Sequence, residues 1–374
     1  MAGKEQRKFI DIDVYTMAKK RIKHIIHTFD TLIVAFSGGK DSLVILELVD
    51  EVYKELGIKE KVKVIFRDEE LIPDDVINFV KTYAESGRFD FRYYAIPLRS
   101  TKFILGETID YVQWDKNRKW LRQPPEYAIT LSDDDNRVFD QYTADEFVAS
   151  KEKGRIAIIN GIRADESLTR LMSCVVKKNE NYINSSGIKR IKFCKPIYDW
   201  TEKDIFLYFY QKGITYCETY DKQMLNNQML RVATPLHAEN AKRIGKLRTL
   251  YPTYYEQLID IFPEMLVQER YWNEYDRYGI IDKYEPTFDG IRQYIKENIS
   301  GEQQLLALKR VKTTEITRKN KLKKGQGKHN YGGYPVLHVF KQVVNGNYKR
   351  EIMPVSKMTN KDKEFEKQVL KDEV

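Results

Sequence analysis

The chain has 374 residues, 42% of them hydrophobic, enough for one large domain with a smaller one beside it. No run approaches the ~18 consecutive apolar residues of a membrane span, and Met1 to Lys8 leads into no apolar signal region, so the expectation is a globular cytoplasmic protein with no membrane partner. The net charge of +9 is unevenly placed: residues 301–374 hold 17 Lys and Arg against 8 Asp and Glu, which leaves 47 of each sign in residues 1–300.

Apolar residues from Ile10 to Ile26 recur at helical spacing, which predicts an N-terminal helix within residues 1–27. Leu32 to Phe36 then reads as a buried parallel strand, and from Leu43 the helical spacing returns. Between them stands Ser37-Gly38-Gly39-Lys40-Asp41-Ser42. The glycines let the backbone turn sharply and approach a ligand, while free N–H groups and the dipole of the following helix point at an anion. Lys40 adds a mobile charge, and Ser37 and Ser42 add hydroxyl donors. A phosphate cradle uses the whole run; the bland alternative is an ordinary strand-to-helix turn with Ser42 as a cap. The spacing excludes a Walker loop, which needs four residues between its first Gly and a closing Gly-Lys-Ser/Thr.

This hexapeptide resembles the PP-loop, the pyrophosphate-binding motif of ATP pyrophosphatases and of the phosphoadenosine phosphosulfate (PAPS) reductase-like family. The resemblance implies an adenine nucleotide, ATP or PAPS, with Mg2+, and cleavage between the α and β phosphates. It assigns the pyrophosphate to Ser37, Gly38, Gly39 and Ser42, and catalysis to Lys40 and Asp41, with Asp41 also directed at the metal.

Gly57 breaks the loop helix and Val62 to Phe66 gives a second strand, so residues 32–66 form a βαβ unit whose carboxyl edge is where open α/β sheets bind ligands. At that edge Asp68 opens the run Arg67-Asp68-Glu69-Glu70, ahead of Pro73 and a helix through Val76 and Tyr83. Asp68 is a candidate nucleotide or metal contact; the alternative is a solvated acidic turn capping that helix. A third strand is predicted from Phe91 to Ile96. Residues 97–150 are the least regular, and Tyr111 to Glu126 interleaves tryptophans, basic residues and a double proline. Such a loop either stacks a base and closes the site or is simply clamped to the surface. It resembles an insertion in a PAPS reductase-like subgroup named after an immunoglobulin-binding regulator.

A fourth strand, Arg155 to Asn160, delivers Gly161-Ile162-Arg163-Ala164-Asp165-Glu166-Ser167-Leu168-Thr169-Arg170. Arginine can hold an oxyanion through paired hydrogen bonds. Seven residues apart, Arg163 and Arg170 share a face if both belong to one helix. The competing reading is a set of ion pairs among Arg163, Asp165, Glu166 and Arg170. The run resembles a second signature of the same family, which implies that the arginines face phosphate or sulfate, with Arg163 catalytic and Gly161 and Glu166 in the nucleotide site. Further on, Thr201 is a helix N-cap with Glu202 and Asp204 in the first turn. The surrounding Pro196 to Ile205 also resembles a family segment, read as mainly architectural.

The likeness covers residues 28–272. Beyond it, residues 309–328 carry nine basic residues against Glu315 alone, followed by glycines, which reads as a mobile segment and a candidate nucleic-acid contact, or as a solvated basic surface. The expected architecture is α/β: an N-terminal helix (1–27), a Rossmann-like parallel-sheet nucleotide domain (28–220), a helical extension (221–300) and a basic tail (301–374) with a small hairpin in residues 334–355. Authentic PAPS reductases resemble one another in a C-terminal Glu-Cys-Gly-x-His segment, and no Cys follows Cys217 here, which favours an ATP-cleaving relative. Cys174, Cys194 and Cys217 form no CxxC pair and are read as scattered buried thiols rather than ligands of an iron-sulfur cluster. A non-catalytic nucleotide-binding module is the reading outside the enzyme class.

Overall fold

The structure, a computed structural model, describes residues 10–176, 179–226, 231–272 and 278–355, together with 357, 358, 360, 362–364 and 366. Residues 1–9 of the expected N-terminal segment and 367–374 of the expected tail lie outside that set. The chain divides into two compact units, Met1–Arg270 and Tyr271–Val374.

In the first unit Asp13 caps α1 (Val14–Thr28) by accepting from the Thr16 N–H, and Ala18, Ile22 and Ile25 form its buried stripe. β1 (Thr31–Ala35), α2 (Lys40–Glu55), β2 (Lys63–Arg67), α3 (Asp74–Glu85) and β3 (Asp90–Tyr94) follow at the expected places. The stretch that lacked pattern holds an antiparallel hairpin, β4 (Leu98–Ile104) with β5 (Glu107–Gln113), and then α4 (Gln141–Ala149), started by an Asp140–Thr143 capping box. β6 (Ile156–Ile159), α5 (Leu168–Cys174), the short pair β7 (Val175–Val176) and β8 (Asn179–Glu180), β9 (Ile183–Ser185) and β10 (Ile191–Cys194) come next. The unit closes with α6 (Glu202–Lys212), α7 (Thr219–Leu225) and the short helices α8 (Ala238–Ala241), α9 (Leu247–Leu250), α10 (Pro252–Ile261) and α11 (Met265–Tyr271).

The main sheet has the order β3-β2-β1-β6-β10-β9, parallel except for β9. Strand side chains alternate between its faces: Leu32 and Val34 pack with α1 and α2, whereas Ile33 packs with Ile65, Ile158 and the α4 residues Ala144 and Val148. Cover on both faces explains why the strands read as continuous apolar runs. From β1 the chain steps outward to β2 and β3, then returns to place β6 on the other side of β1. The crevice at the carboxyl ends of β1 and β6 is therefore the topological switch point, where a ligand is expected.

The second unit is built from α12 (Phe288–Asn298), α13 (Gly301–Lys323) and α14 (Val336–Val344), packed around Ile291, Ile295, Val311, Leu337 and Phe340. Two expectations are corrected here. The basic segment 309–328 is not a mobile tail over most of its length but part of α13, because Ala307, Val311, Thr314 and Arg318 recur at helical spacing and are buried. Arg318 forms a buried ion pair with Glu366 at 3.0 Å, while Lys309, Lys312, Lys319 and Lys323 stay exposed on the helix. The hairpin in 334–355 is instead α14 and a 3-10 turn at Asn347–Lys349: after Pro335, buried Val336, Val339, Phe340 and Val343 follow a 3.6-residue period, not a period of two.

Candidate active site

The six-residue loop joins β1 to α2 at the switch point. Gly38 has φ +73°, a backbone conformation that suits glycine, and a Cβ there would lie 2.8 Å from Val76 and Val80 of α3. The loop is braced by its own serines. The Ser42 hydroxyl donates to the Gly39 carbonyl at 2.9 Å and accepts from the Ser37 N–H at 3.1 Å, and the Ser37 hydroxyl accepts from the Gly39 N–H at 3.3 Å. Ser42 is thus a structural brace as well as a helix-start residue. The Lys40 N–H, at the start of α2, donates to the Tyr220 hydroxyl at 2.8 Å.

Gly161, after β6, touches this loop directly: a Cβ on it would lie 2.6 Å from the Asp41 carbonyl carbon and 2.7 Å from the Ser42 nitrogen. Both motifs therefore share one site. Asp41 links them electrostatically, its carboxylate accepting from Lys40 Nζ at 3.1 Å and from Arg163 Nε at 2.5 Å. Arg163 also donates to both Asp165 oxygens, at 2.8 and 2.9 Å, and Lys40 lies 3.4 Å from Glu202. Lys40 and Arg163 are each only 4% exposed, so both charges depend on these acids for compensation. Arg163 and Arg170 do not share a helix. Ser167 caps α5, which begins at Leu168, so Arg163 stands in the loop ahead of it while Arg170, on the first turn, pairs with Glu166.

Asp68 is placed at the end of β2 and is buried. Its oxygens accept from Arg122 Nη2 at 2.5 Å, the Glu70 N–H at 2.8 Å and the Tyr93 hydroxyl. Burial raises its pKa, opposed by the charge of Arg122. Glu70, fully buried at φ +61°, accepts from both terminal nitrogens of Arg118, at 2.8 and 2.6 Å, and from the Trp114 N–H at 2.7 Å. The Trp114 and Trp120 indole N–H groups donate to the carbonyls of Asp68 and Asp115. The aromatic-basic loop is clamped to the end of β2, and Trp114, 2% exposed, has no open face for a base.

Several groups at the site had no motif to mark them. Tyr220 holds the loop from α7. Lys195, after β10, is 6% exposed and bonds Ser173 Oγ at 2.9 Å with no carboxylate partner among the described residues. Burial, opposed by the Cys174 thiol and aided by Arg170, lowers its pKa. Arg170 itself is pushed below its ordinary value by burial and by Arg231, an effect that Asp41 offsets and Arg163 adds to. Arg170 thus feels the charges of Arg163 and Arg231, and Lys195 that of Arg170. The only sequence signal for Arg231 and Lys195 was a lone basic residue beside a strand or loop end. Among the described residues no group of three His, Cys, Asp or Glu side chains could hold a metal, and Asp41 and Asp68 both already face cations.

The family model described as phosphoadenosine phosphosulfate reductase domain matches residues 31–362. An uncharacterised Escherichia coli K12 protein, YbdN, is 27% identical over 214 residues, covering 54% of this chain and 52% of that protein, so the chain spans about half the length of that relative. An adenosine 5'-phosphosulfate reductase of Staphylococcus epidermidis is 24% identical over 234 residues, covering 60% of this chain and 80% of the enzyme. Among solved structures, Candida glabrata FMN adenylyltransferase with FAD and pyrophosphate has a TM-score of 0.38 at 15% identity, covering 56% of this chain and 59% of that one. A Candida auris PAPS reductase has a TM-score of 0.34 at 14% identity, covering 60% and 97%. The family model spans nearly the whole sequence, and the chain belongs to the phosphoadenosine phosphosulfate reductase domain family.

Proposed function

We propose that this chain is an enzyme that binds ATP at the switch point and cleaves it between the α and β phosphates, adenylating an acceptor or driving sulfur transfer. The observation that carries this reading is the meeting of the two motifs, with Gly161 against the loop backbone and Asp41 joining Lys40 to Arg163. Ser37, Gly38, Gly39 and Ser42 hold the pyrophosphate. Lys40 and Arg163 take up the charge that develops on it as the bond to the α-phosphorus breaks, and Asp41 keeps the two cations in position beforehand. Asp68 supports the site from β2 through its bonds to Arg122 and Tyr93. A divalent cation would enter with the phosphates as their counter-ion; the carboxylates of Asp41 and Asp68, its expected ligands, already accept from Lys40, Arg163 and Arg122.

The rival within the family is sulfite formation from PAPS, which needs an accessible thiolate. Cys174, Cys194 and Cys217 are buried at 0%, 0% and 1% exposure, and burial pushes Cys194 up to about 12 and Cys217 upward, which disfavours that chemistry at these positions. Pyrophosphate release from ATP, assayed across carboxylate, hydroxyl and sulfur acceptors, is the test. Lys40→Ala is expected to lower the rate about 100-fold or more. Full activity in that variant, or sulfite production from PAPS with thioredoxin, refutes the reading.

A further inference from the structure

Beside the phosphate loop lies an open cleft. It shares walls with the loop. Val76 lines it and packs on Gly38, and Val232 lines it and comes within 3.0 Å of a Cβ placed on Gly39. Its apolar surface continues through Leu247, Leu250 and Tyr251. Two guanidinium groups, Arg231 and Arg243, stand at the lining, and among the described residues neither has a carboxylate partner. Gln223 fixes the backbone of Arg231, accepting from its main-chain N–H at 2.8 Å and donating to its main-chain carbonyl at 2.5 Å, while the guanidinium groups of Arg231 and Arg243 are exposed. Tyr254 adds its ring to the lining, with its hydroxyl closed off from solvent.

We propose that this cleft is the acceptor subsite, and that it takes a small molecule with an apolar ring-sized body and one anionic group. The body lies against Val76, Val232, Leu250 and Tyr251, and the anion meets Arg231 and Arg243. Val76 and Val232 border both the cleft and the loop, so the ligand lies beside the nucleotide. This assignment rests on the ATP-cleaving reading for its role, though not for its ligand class.

Fluorescence titration of the full chain with 8-anilinonaphthalene-1-sulfonate, an apolar ring system with one anion, tests the assignment. N-phenyl-1-naphthylamine, which lacks the sulfonate, is the control. The sulfonate is expected to bind at least about tenfold more tightly than the neutral probe, and Arg243→Ala and Arg231→Ala are each expected to weaken it about tenfold, the effect of one charge-assisted hydrogen bond, with Arg243→Lys restoring most of the affinity. Equal affinity for both probes, or unchanged sulfonate binding in both alanine variants, overturns the proposal. Calorimetry with ATP on the same preparation separates the two readings. Arginine-dependent sulfonate binding without ATP binding refutes the nucleotide assignment and leaves the ligand class of the cleft standing.

Discussion

Two charged clusters sit at the carboxyl edge of the same sheet, and they are built on opposite plans. At the end of β2, Asp68 and Glu70 meet Arg122 and Arg118, and the two guanidiniums donate further to the carbonyls of Glu70, Ile72, Lys119 and Val112. At the ends of β1, β6 and β10, Lys40, Arg163 and Arg170 share Asp41, Asp165, Glu166 and Glu202, while Lys195 and Arg231 have no carboxylate partner among the described residues. The first cluster gives each of its two carboxylates a guanidinium and fixes a loop. The second leaves Lys195 and Arg231 without a carboxylate, and it stands by the switch point, where a ligand is expected. Density of charge does not separate a binding site from a clamp; the balance of partners does.

Three substitutions probe that contrast, in falling order of effect. Glu70→Ala strips a fully buried carboxylate from Arg118 and from two backbone donors, and should destabilise the first unit by about 3–5 kcal/mol, measured as a lowered urea midpoint. A loss below 1 kcal/mol would mean the clamp is ornamental to the fold, and the distinction drawn here would fail. Gly161→Ala forces a methyl group into the backbone of Asp41 and Ser42, and should cost about 1–3 kcal/mol while weakening ATP in calorimetry. Unchanged ATP affinity with reduced stability would make the contact purely structural. Arg170→Ala removes a side chain that is 45% exposed, so its stability should change by no more than about 0.5 kcal/mol, whereas inorganic pyrophosphate should bind about tenfold more weakly, as read by calorimetry. The reverse pattern would assign Arg170 to the clamp class.

Much of the sheet around the two glycine motifs was legible in the sequence because its signals are local. An apolar strand followed by small, charged and hydroxyl residues encodes a turn and a helix start within ten positions, and it appears twice. The pairing of Gly161 with Asp41 could be expected from the parallel topology, although the contact spans 120 residues. The loop from Tyr111 to Glu126 was not legible. Its conformation depends on Glu70 and Asp68, more than 40 residues earlier, and Glu70 takes a positive φ that no propensity favours. The basic stretch misled for a different reason: its charge count hid a sparse stripe of Ala307, Val311 and Thr314, and α13 owes its order to tertiary packing more than to a strong amphipathic pattern. Residues 334–355 show the limit of short apolar runs, which suit a strand or a helix until their period is counted.

The borders of the main sheet bear on how the protein behaves in concentrated solution. On one side β9 is only three residues long and runs antiparallel to its neighbour. On the other, β3 does not present an open ladder near its end: the Ile129 N–H donates to the Tyr93 carbonyl at 2.7 Å and the Ala95 N–H donates to the Ile129 carbonyl at 3.0 Å, so an irregular segment occupies the place of another strand. An exposed row of free amides and carbonyls is a template on which a second molecule can add, the first step toward aggregates. With one border shortened and the other partly covered from within, a sheet rich in isoleucine and valine is shielded against adding strands from its neighbours.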